Sequence, residues 1–207
     1  MEHDTRWLDW AVELQSLSQS ALAYCKDPFD IERFHRIRDI SAEMIAHRTD
    51  LPLEKVKNLF CGETGYQTPK LDCRAAIIQD GRILLVREND GRWTLPGGWM
   101  DVGLTVAENT AREAREEAGV EVLPRRMVAV HDWMRNNCYA PKALSVCKVF
   151  VLCDLLGGHF QENIETTASG WFAPEELPVL IEEKNTAAQI ALCFEAARAE
   201  RWETVFD

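Results

Sequence analysis

Over residues 1 to 62, apolar side chains recur at steps of three and four. Trp10, Leu14, Leu17, Ala21 and Tyr24 form one such stripe, the mark of an amphipathic helix. Asp27-Pro28 then supplies an N-cap followed by a proline at the first helical position. Ile31, Phe34, Ile37, Ser41, Met44 and Ile45 carry the next stripe. A third, shorter helix is expected from Pro52 to Phe60, ended by Cys61-Gly62. Three short helices make a small core, which leaves apolar surface for another domain or a second subunit.

The stretch GETGYQTPK, residues 62 to 70, is rich in turn formers and reads as a linker. Beyond it the pattern changes to strands. DCRAAII and RILLVRE flank Gln79-Asp80-Gly81, and Asp-Gly suits the left-handed turn of a hairpin. RWTLPGGWM is a short extended piece broken by Pro96-Gly97-Gly98, and a helix is expected from Val106 to Ala118. Further strands are expected near Met127–Trp133, Val146–Leu155 and Gly170–Ala173. A last helix starts near Thr186, with Ile190, Phe194 and Ala197 on one face. Strands interleaved with two helices predict an α+β domain, a mixed sheet with helices packed on it, over residues 67–207. A small all-helical domain over residues 1–66 precedes it.

Composition narrows the function. A net charge of −11 over 207 residues argues against a general binder of nucleic acid or anionic membrane, which needs a basic surface. Ile40 to Phe60 has the outline of a helix-turn-helix. Residues 1 to 70, however, hold nine Lys or Arg against twelve Asp or Glu, a balance of −3. A DNA reader carries a basic face, so packing or dimerisation is the stronger reading of this region. The seven cysteines are scattered, without a CxxC pair, and read as reduced thiols. No signal peptide is visible after MEHDTRW, and the apolar stretch Leu144–Leu156 is interrupted by Lys148 and Asp154. A soluble cytoplasmic protein is expected.

The chemistry concentrates in the helix after Thr105. Thr105 and Glu108 stand at capping-box spacing, and Gly119 is placed to end the helix in the left-handed conformation. Ala107, Ala111, Ala114 and Ala118 make a slim stripe for close packing. Glu113, Glu116 and Glu117 are related by i+3 and i+4, so their carboxylates share one face. Arg112 offsets part of the repulsion but cannot serve all three acids. A solvated helix face is one reading of them. A divalent cation held by hard oxygen ligands, Mg²⁺ or Mn²⁺ rather than zinc, is the other. The two glycines of PGGWMDVG bring backbone that can approach an ion or a phosphate closely to the entrance of this helix.

Gly98, then Arg112-Glu113, Glu116-Glu117, Gly119 and Val120 resemble the Nudix box, G-x5-E-x7-R-E-U-x-E-E-x-G-U with U a bulky aliphatic. Seven of nine specified positions match in register over 23 residues. Leu104 replaces the first Glu and Ala114 replaces the aliphatic. The stretch from ETGYQTPK through WTLPGGWMDVGLT, behind a helical N-terminal region, is similar to one bacterial branch of the family. That branch includes CDP-choline pyrophosphatase and proteins labelled ADP-ribose pyrophosphatase.

The resemblance implies a Nudix-type α/β/α sandwich that hydrolyses a nucleoside diphosphate linked to another moiety, with divalent metal. It implies Glu113, Glu116 and Glu117 as metal ligands, the Gly97 carbonyl as a fourth, and Arg112 orienting a glutamate. The missing acid normally supports that Arg, a role open to Glu108 across one helical turn. A further carboxylate from the loop before the last strand, acting as base or ligand, is Glu165, with Glu162 its rival.

Arg74 and Arg87 are either phosphate contacts or solvent-facing strand charges. Trp99, His131 and Trp133 either stack on a base or belong to the core. Three functions follow in order: a pyrophosphohydrolase of a nucleoside diphosphate derivative, with CDP-choline and ADP-ribose leading; a non-catalytic sensor of such a ligand acting through the helical domain; and a structural partner protein. A homodimer is favoured, because small helical appendages often pair.

Overall fold

The computed structural model describes residues 6–137 and 145–207. The described chain forms a helical unit ending at Pro69 and a second unit made of residues 70–137 and 146–207. No helix among the described residues is long and apolar enough to cross a membrane.

The first unit holds α1 (Arg6–Tyr24), α2 (Pro28–Arg48) and α3 (Leu53–Phe60). Asp27 caps α2 through its carboxylate, which accepts from the backbone N–H of Phe29 and Asp30. Ala11, Ala42, Ile45, Val56 and Phe60 form the core. The inward face of α1 is not the large apolar stripe. Trp10, Leu17 and Tyr24 are exposed at 53%, 62% and 72%, while Ala11, Gln15 and Ser18 are buried. Small side chains let two helices approach closely. Two long polar groups, Gln15 and Gln19, are buried there and meet each other, with Gln15 Nε2 donating to Gln19 Oε1 at 2.7 Å and to the Phe60 carbonyl at 3.1 Å. Gln15 Oε1 and Gln19 Nε2 find no partner among the described residues.

The second unit opens with β1 (Lys70–Gln79) and β2 (Arg82–Glu88), joined by a turn in which Asp80 and Gly81 both have positive φ, 50° and 74°. That is the hairpin expected from Asp-Gly. Next come β3 (Trp93–Thr94), β4 (Gly97–Trp99), α4 (Val106–Ala118), β5 (Val120–Asp132) and α5 (Trp133–Asn136). The chain closes with β6 (Val146–Gly158), β7 (Thr166–Phe172), α6 (Ala187–Arg198) and β8 (Val205–Phe206). β5 starts seven residues before the expected Met127, because Gly119 turns the chain directly from helix into strand. It stops at Asp132, whose carboxylate caps α5 by accepting from Arg135 N–H at 3.0 Å.

β1 is the organising strand. It runs parallel to β6 from Lys70 beside Val146 to Ile77 beside Cys153. Its first half pairs antiparallel with β4 and its far end with β2. β5 adds antiparallel to β6, β8 parallel to β5, and β7 antiparallel to β2. Ala114 and Ala118 of α4 pack on one face over Cys73, Ala75, Ile77, Val149 and Val151. Ile190, Cys193 and Phe194 of α6 pack on the other over Ala76, Ala129 and Phe150. The result is an α/β/α sandwich around a mixed sheet. Alternation along β1 therefore sends Asp72, Arg74 and Ala76 toward the α6 face and Cys73, Ala75 and Ile77 toward α4.

Candidate active site

α4 is fixed at both ends by its own sequence. Thr105 Oγ1 accepts from Glu108 N–H at 3.2 Å and the Glu108 carboxylate accepts from Thr105 N–H at 2.9 Å. Gly119 closes the helix at φ 68°. Ala114 and Ala118, both wholly buried, hold the helix close to the sheet, whereas Ala107 of the expected stripe lies outside. Glu113 and Glu117 flank Ala114 and Ala118 in the chain and are buried at 8% and 6% exposure, while Glu116 faces solvent.

The strand with two glycines meets these acids. Gly97 N–H donates to Glu117 Oε2 at 2.8 Å. At Gly97, φ is 148° and a Cβ would come within 2.0 Å of the Cys73 carbonyl oxygen; at Gly98, a Cβ would stand 3.1 Å from Glu113 Oε2. Neither position tolerates a side chain without movement, and the backbone thereby reaches the carboxylates directly.

Arg112 is the hub. Its Nη2 donates to Glu113 Oε1 at 2.8 Å and to Asn109 Oδ1 at 3.1 Å. Its Nη1 lies 3.1 Å from Asp101 Oδ2 and 3.4 Å from Glu116 Oε2. Burial pushes the Glu117 carboxyl up to about 7, against the pull of Gly97 N–H and Arg74, and the charge on Glu113 adds to the rise. Burial raises Glu113 as well; Arg112 opposes the rise, while the charges of Glu116 and Glu165 reinforce it. Both rises come first from burial, which the nearby Arg112, Arg74 and Gly97 N–H offset only in part.

A buried cationic cluster lies nearby on the sheet. Arg74 grips Asp72 with Nε at 3.1 Å and Nη2 at 2.7 Å, and its Nη1 donates to the Leu95 carbonyl at 3.3 Å. Lys148 pairs with the same carboxylate from β6. Burial works against the Asp72 charge, yet Arg74 and Lys148 outweigh it and hold the carboxyl below its usual range. Burial and the adjacent Arg74 push the Lys148 ammonium down to about 8. The cluster holds two cations and one anion, and its Arg74 acts through space on Glu117.

The loop before β7 is fastened to the end of α4. Asn163 Nδ2 donates to the Glu116 carbonyl at 3.1 Å and Thr166 Oγ1 to the Glu117 carbonyl at 2.7 Å. Glu165 sits between them in sequence, exposed, with its N–H on Asn163 Oδ1 at 3.0 Å. Glu162 is also exposed, but only Glu165 figures among the charges acting on Glu113.

As posed, no three His, Cys, Asp or Glu side chains among the described residues converge closely enough to hold an ion. Arg112 occupies Glu113 and Glu116, and Gly97 N–H occupies Glu117. The donor set nevertheless fits a hard divalent cation: the side chains offer carboxylate oxygens only, and two of the three acids are buried.

Residues 69–192 match the NUDIX domain, and residues 5–60 match a family described as "UDP-X-like, N-terminal oligomerisation domain". The chain belongs to the Nudix family. It is a Nudix hydrolase, and such enzymes generally use divalent metal ions. It is 37% identical over 204 residues, 98% of each chain, to YjhB of Bacillus subtilis strain 168, a protein named provisionally as an ADP-ribose pyrophosphatase. Among solved structures, an ADP-ribose pyrophosphatase of Streptococcus suis 89-1591 is 56% identical, matching 68% of this chain and 100% of its own, with a TM-score of 0.64. A UDP-X diphosphatase is 33% identical over 97% of this chain and 98% of its own, with a TM-score of 0.63.

Within the Nudix box, the expected stand-in for the missing acid is not Glu108. That carboxylate is spent on Thr105 at the helix start. Asp101 and Asn109 meet Arg112 instead. Ala114 fills the aliphatic position by close packing against the sheet.

Of the other candidates, Arg74 is buried rather than solvent-facing, and Arg87 is half-buried with Nε on Thr167 Oγ1 at 3.0 Å and its guanidinium 6.0 Å from the Trp93 ring. Trp99 is 52% exposed beside the box glycines. Trp133 is buried, with its indole N–H on the Glu183 carbonyl at 2.7 Å. His131 is buried beside Gln189. Sequence reasoning missed Asp101, Asn109 and Lys148. Asp101 had a local signal in Gly103, whose φ of 89° makes a tight turn from Asp101 to Leu104.

Proposed function

We propose that this Nudix hydrolase cleaves the diphosphate bridge of a nucleoside diphosphate linked to a second moiety, giving a nucleoside monophosphate and a phosphorylated product. The observation that carries the reading is the buried pair Glu113 and Glu117, set against the backbone of Gly97 and Gly98. Glu113, Glu116, Glu117 and the Gly97 carbonyl would hold Mg²⁺ or Mn²⁺. Such an ion neutralises diphosphate charge and lowers the pKa of the water that attacks phosphorus.

The chain's own groups do the rest. Arg112 orients Glu113 and Glu116. Arg74, with Lys148 behind it, supplies positive charge that acts through space on Glu113 and Glu117. Glu165, on a loop pinned to α4, takes the proton of the attacking water. Trp99 has the exposed ring face that base stacking needs. Trp133 packs in the interior and is not part of this reading.

ADP-ribose and UDP-linked compounds lead the substrate panel, on the strength of the named relatives, and CDP-choline is kept in it. Hydrolysis of that panel with and without Mg²⁺ or Mn²⁺ tests the proposal. Glu116→Gln should lower kcat at least as much as the roughly 10–100-fold typical of losing an outer-shell partner. No turnover on any compound, or full turnover in the variant, overturns the reading. Nothing in the described site favours a non-catalytic sensor.

The helical unit serves self-association as a dimer. Trp10, Leu17 and Tyr24 are exposed and, with half-buried Leu14 and Ala21, repeat at alternating three- and four-residue steps, the period of a helix-pairing seam. The match of residues 5–60 to an oligomerisation domain supports the same use.

A further inference from the structure

We infer that Asp101 is the positioning residue for Arg112, replacing the acid that this chain lacks at position 104. The inference rests on the diphosphatase reading of the α4 acids and concerns how their arginine is held.

Asp101 and Leu104 are the two ends of one tight turn, closed by Leu104 N–H donating to the Asp101 carbonyl at 3.3 Å, with Gly103 at φ 89° in its third position. The ends of such a turn lie within about 7 Å of each other, so an acid at either end addresses the same surroundings. In this chain the acid stands at the first end. Asn109, wholly buried on α4, fastens that end to the helix. Its Oδ1 accepts from Asp101 N–H at 3.1 Å and its Nδ2 donates to the Trp99 carbonyl at 3.3 Å. The same Oδ1 accepts from Arg112 Nη2. One carboxamide therefore sets both the loop that carries the acid and the guanidinium that the acid meets. Arg112 Nε is buried and has no acceptor among the described residues, so the replacement covers the Nη edge only.

The arrangement has a chemical consequence. Among the described residues, the acids within 4 Å of Arg112 are Asp101, Glu113 and Glu116. The last two are the ones a cation would claim. Asp101 keeps part of the guanidinium charge on an acid outside the ligand set, so Glu113 and Glu116 can turn to the ion while Arg112 stays in place. Without Asp101, the whole guanidinium charge competes with the cation for those two carboxylates.

The test compares Asp101→Ala, Leu104→Glu and the double variant with the wild type. Three quantities are read: Mn²⁺ affinity of the substrate-free protein by electron paramagnetic resonance of free Mn²⁺, kcat and KM, and melting temperature. Asp101→Ala should weaken Mn²⁺ binding and lower kcat, each about tenfold, with KM within about twofold. Asp101 is 61% exposed, and exposed ion pairs add little stability, so the melting temperature should hold. The double variant should recover both Mn²⁺ affinity and kcat, and Leu104→Glu alone should match the wild type. Wild-type Mn²⁺ affinity and kcat in Asp101→Ala overturn the assignment. So does a double variant no better than the single one, which would make Asp101 a ligand or a fold element. These results leave the site reading intact as long as Glu116→Gln loses kcat; full turnover in Glu116→Gln overturns the site reading whatever Asp101 does.

Discussion

Glu117→Gln offers the sharpest physical test of the site, because it separates electrostatics from packing. The wild-type carboxyl has a folded-state pKa of about 7, against an ordinary 4.5. A raised acid binds its proton more tightly in the folded state. Its destabilising effect is therefore absent below about pH 4.5, grows as pH rises, and levels off above about pH 7. At 1.36 kcal/mol per unit the plateau is about 3 kcal/mol, and Glu117 is buried enough that little solvent screening reduces it. Gln keeps the shape, and its carbonyl oxygen can still accept from Gly97 N–H. Any cost of burying the amide is independent of pH and cancels in a comparison across pH. In EDTA, urea unfolding should show the variant gaining about 3 kcal/mol on the wild type between pH 4.5 and pH 8. Added Mg²⁺ at pH 8 should then stabilise the wild type and leave the variant unmoved. A constant gap between the two proteins across that pH range would refute the claim that Glu117 is a buried acid awaiting a cation.

Two further outcomes follow from the packing. Gly97→Ala places a Cβ 2.0 Å from the Cys73 carbonyl oxygen at a φ of 148°, so urea unfolding should show a loss of more than about 2 kcal/mol, with hydrolysis falling as Gly97 N–H leaves Glu117. Leu17→Glu puts a charge into the exposed seam of α1 while leaving the buried Ala11, Ile45 and Phe60 untouched, so sedimentation should show a smaller species with unchanged helicity. A sedimentation profile identical to wild type removes α1 as the contact.

What the sequence could settle was local. The limits of α4 were readable because Thr105, Glu108 and Gly119 act on backbone groups within one turn of themselves. The Asp80-Gly81 hairpin was readable for the same reason, and the spacing of Gly98, Arg112, Glu113, Glu116 and Glu117 carried the family. Which face of α1 turns inward was not readable. Hydropathy points to Trp10, Leu17 and Tyr24, but the positions that turn inward are Ala11, Gln15, Ser18 and Gln19, a choice set by the neighbouring elements. Glu108 stood at both capping-box spacing to Thr105 and i+4 spacing to Arg112, and the structure commits its carboxylate to Thr105.

Only the tertiary structure decided the partners. Lys148 meets Asp72 across 76 positions of chain because β1 runs parallel to β6, and a parallel pairing leaves no local turn signal. Asp101 meets Arg112 because Asn109 ties its loop to the helix. The sequence alone thus determined where the acids stand along α4, since helical periodicity is a property of the segment itself. The burial of Glu113 and Glu117 and the groups that pair with the acids came from the sheet and loops packed around them, because desolvation and charge pairing depend on whatever is close in space.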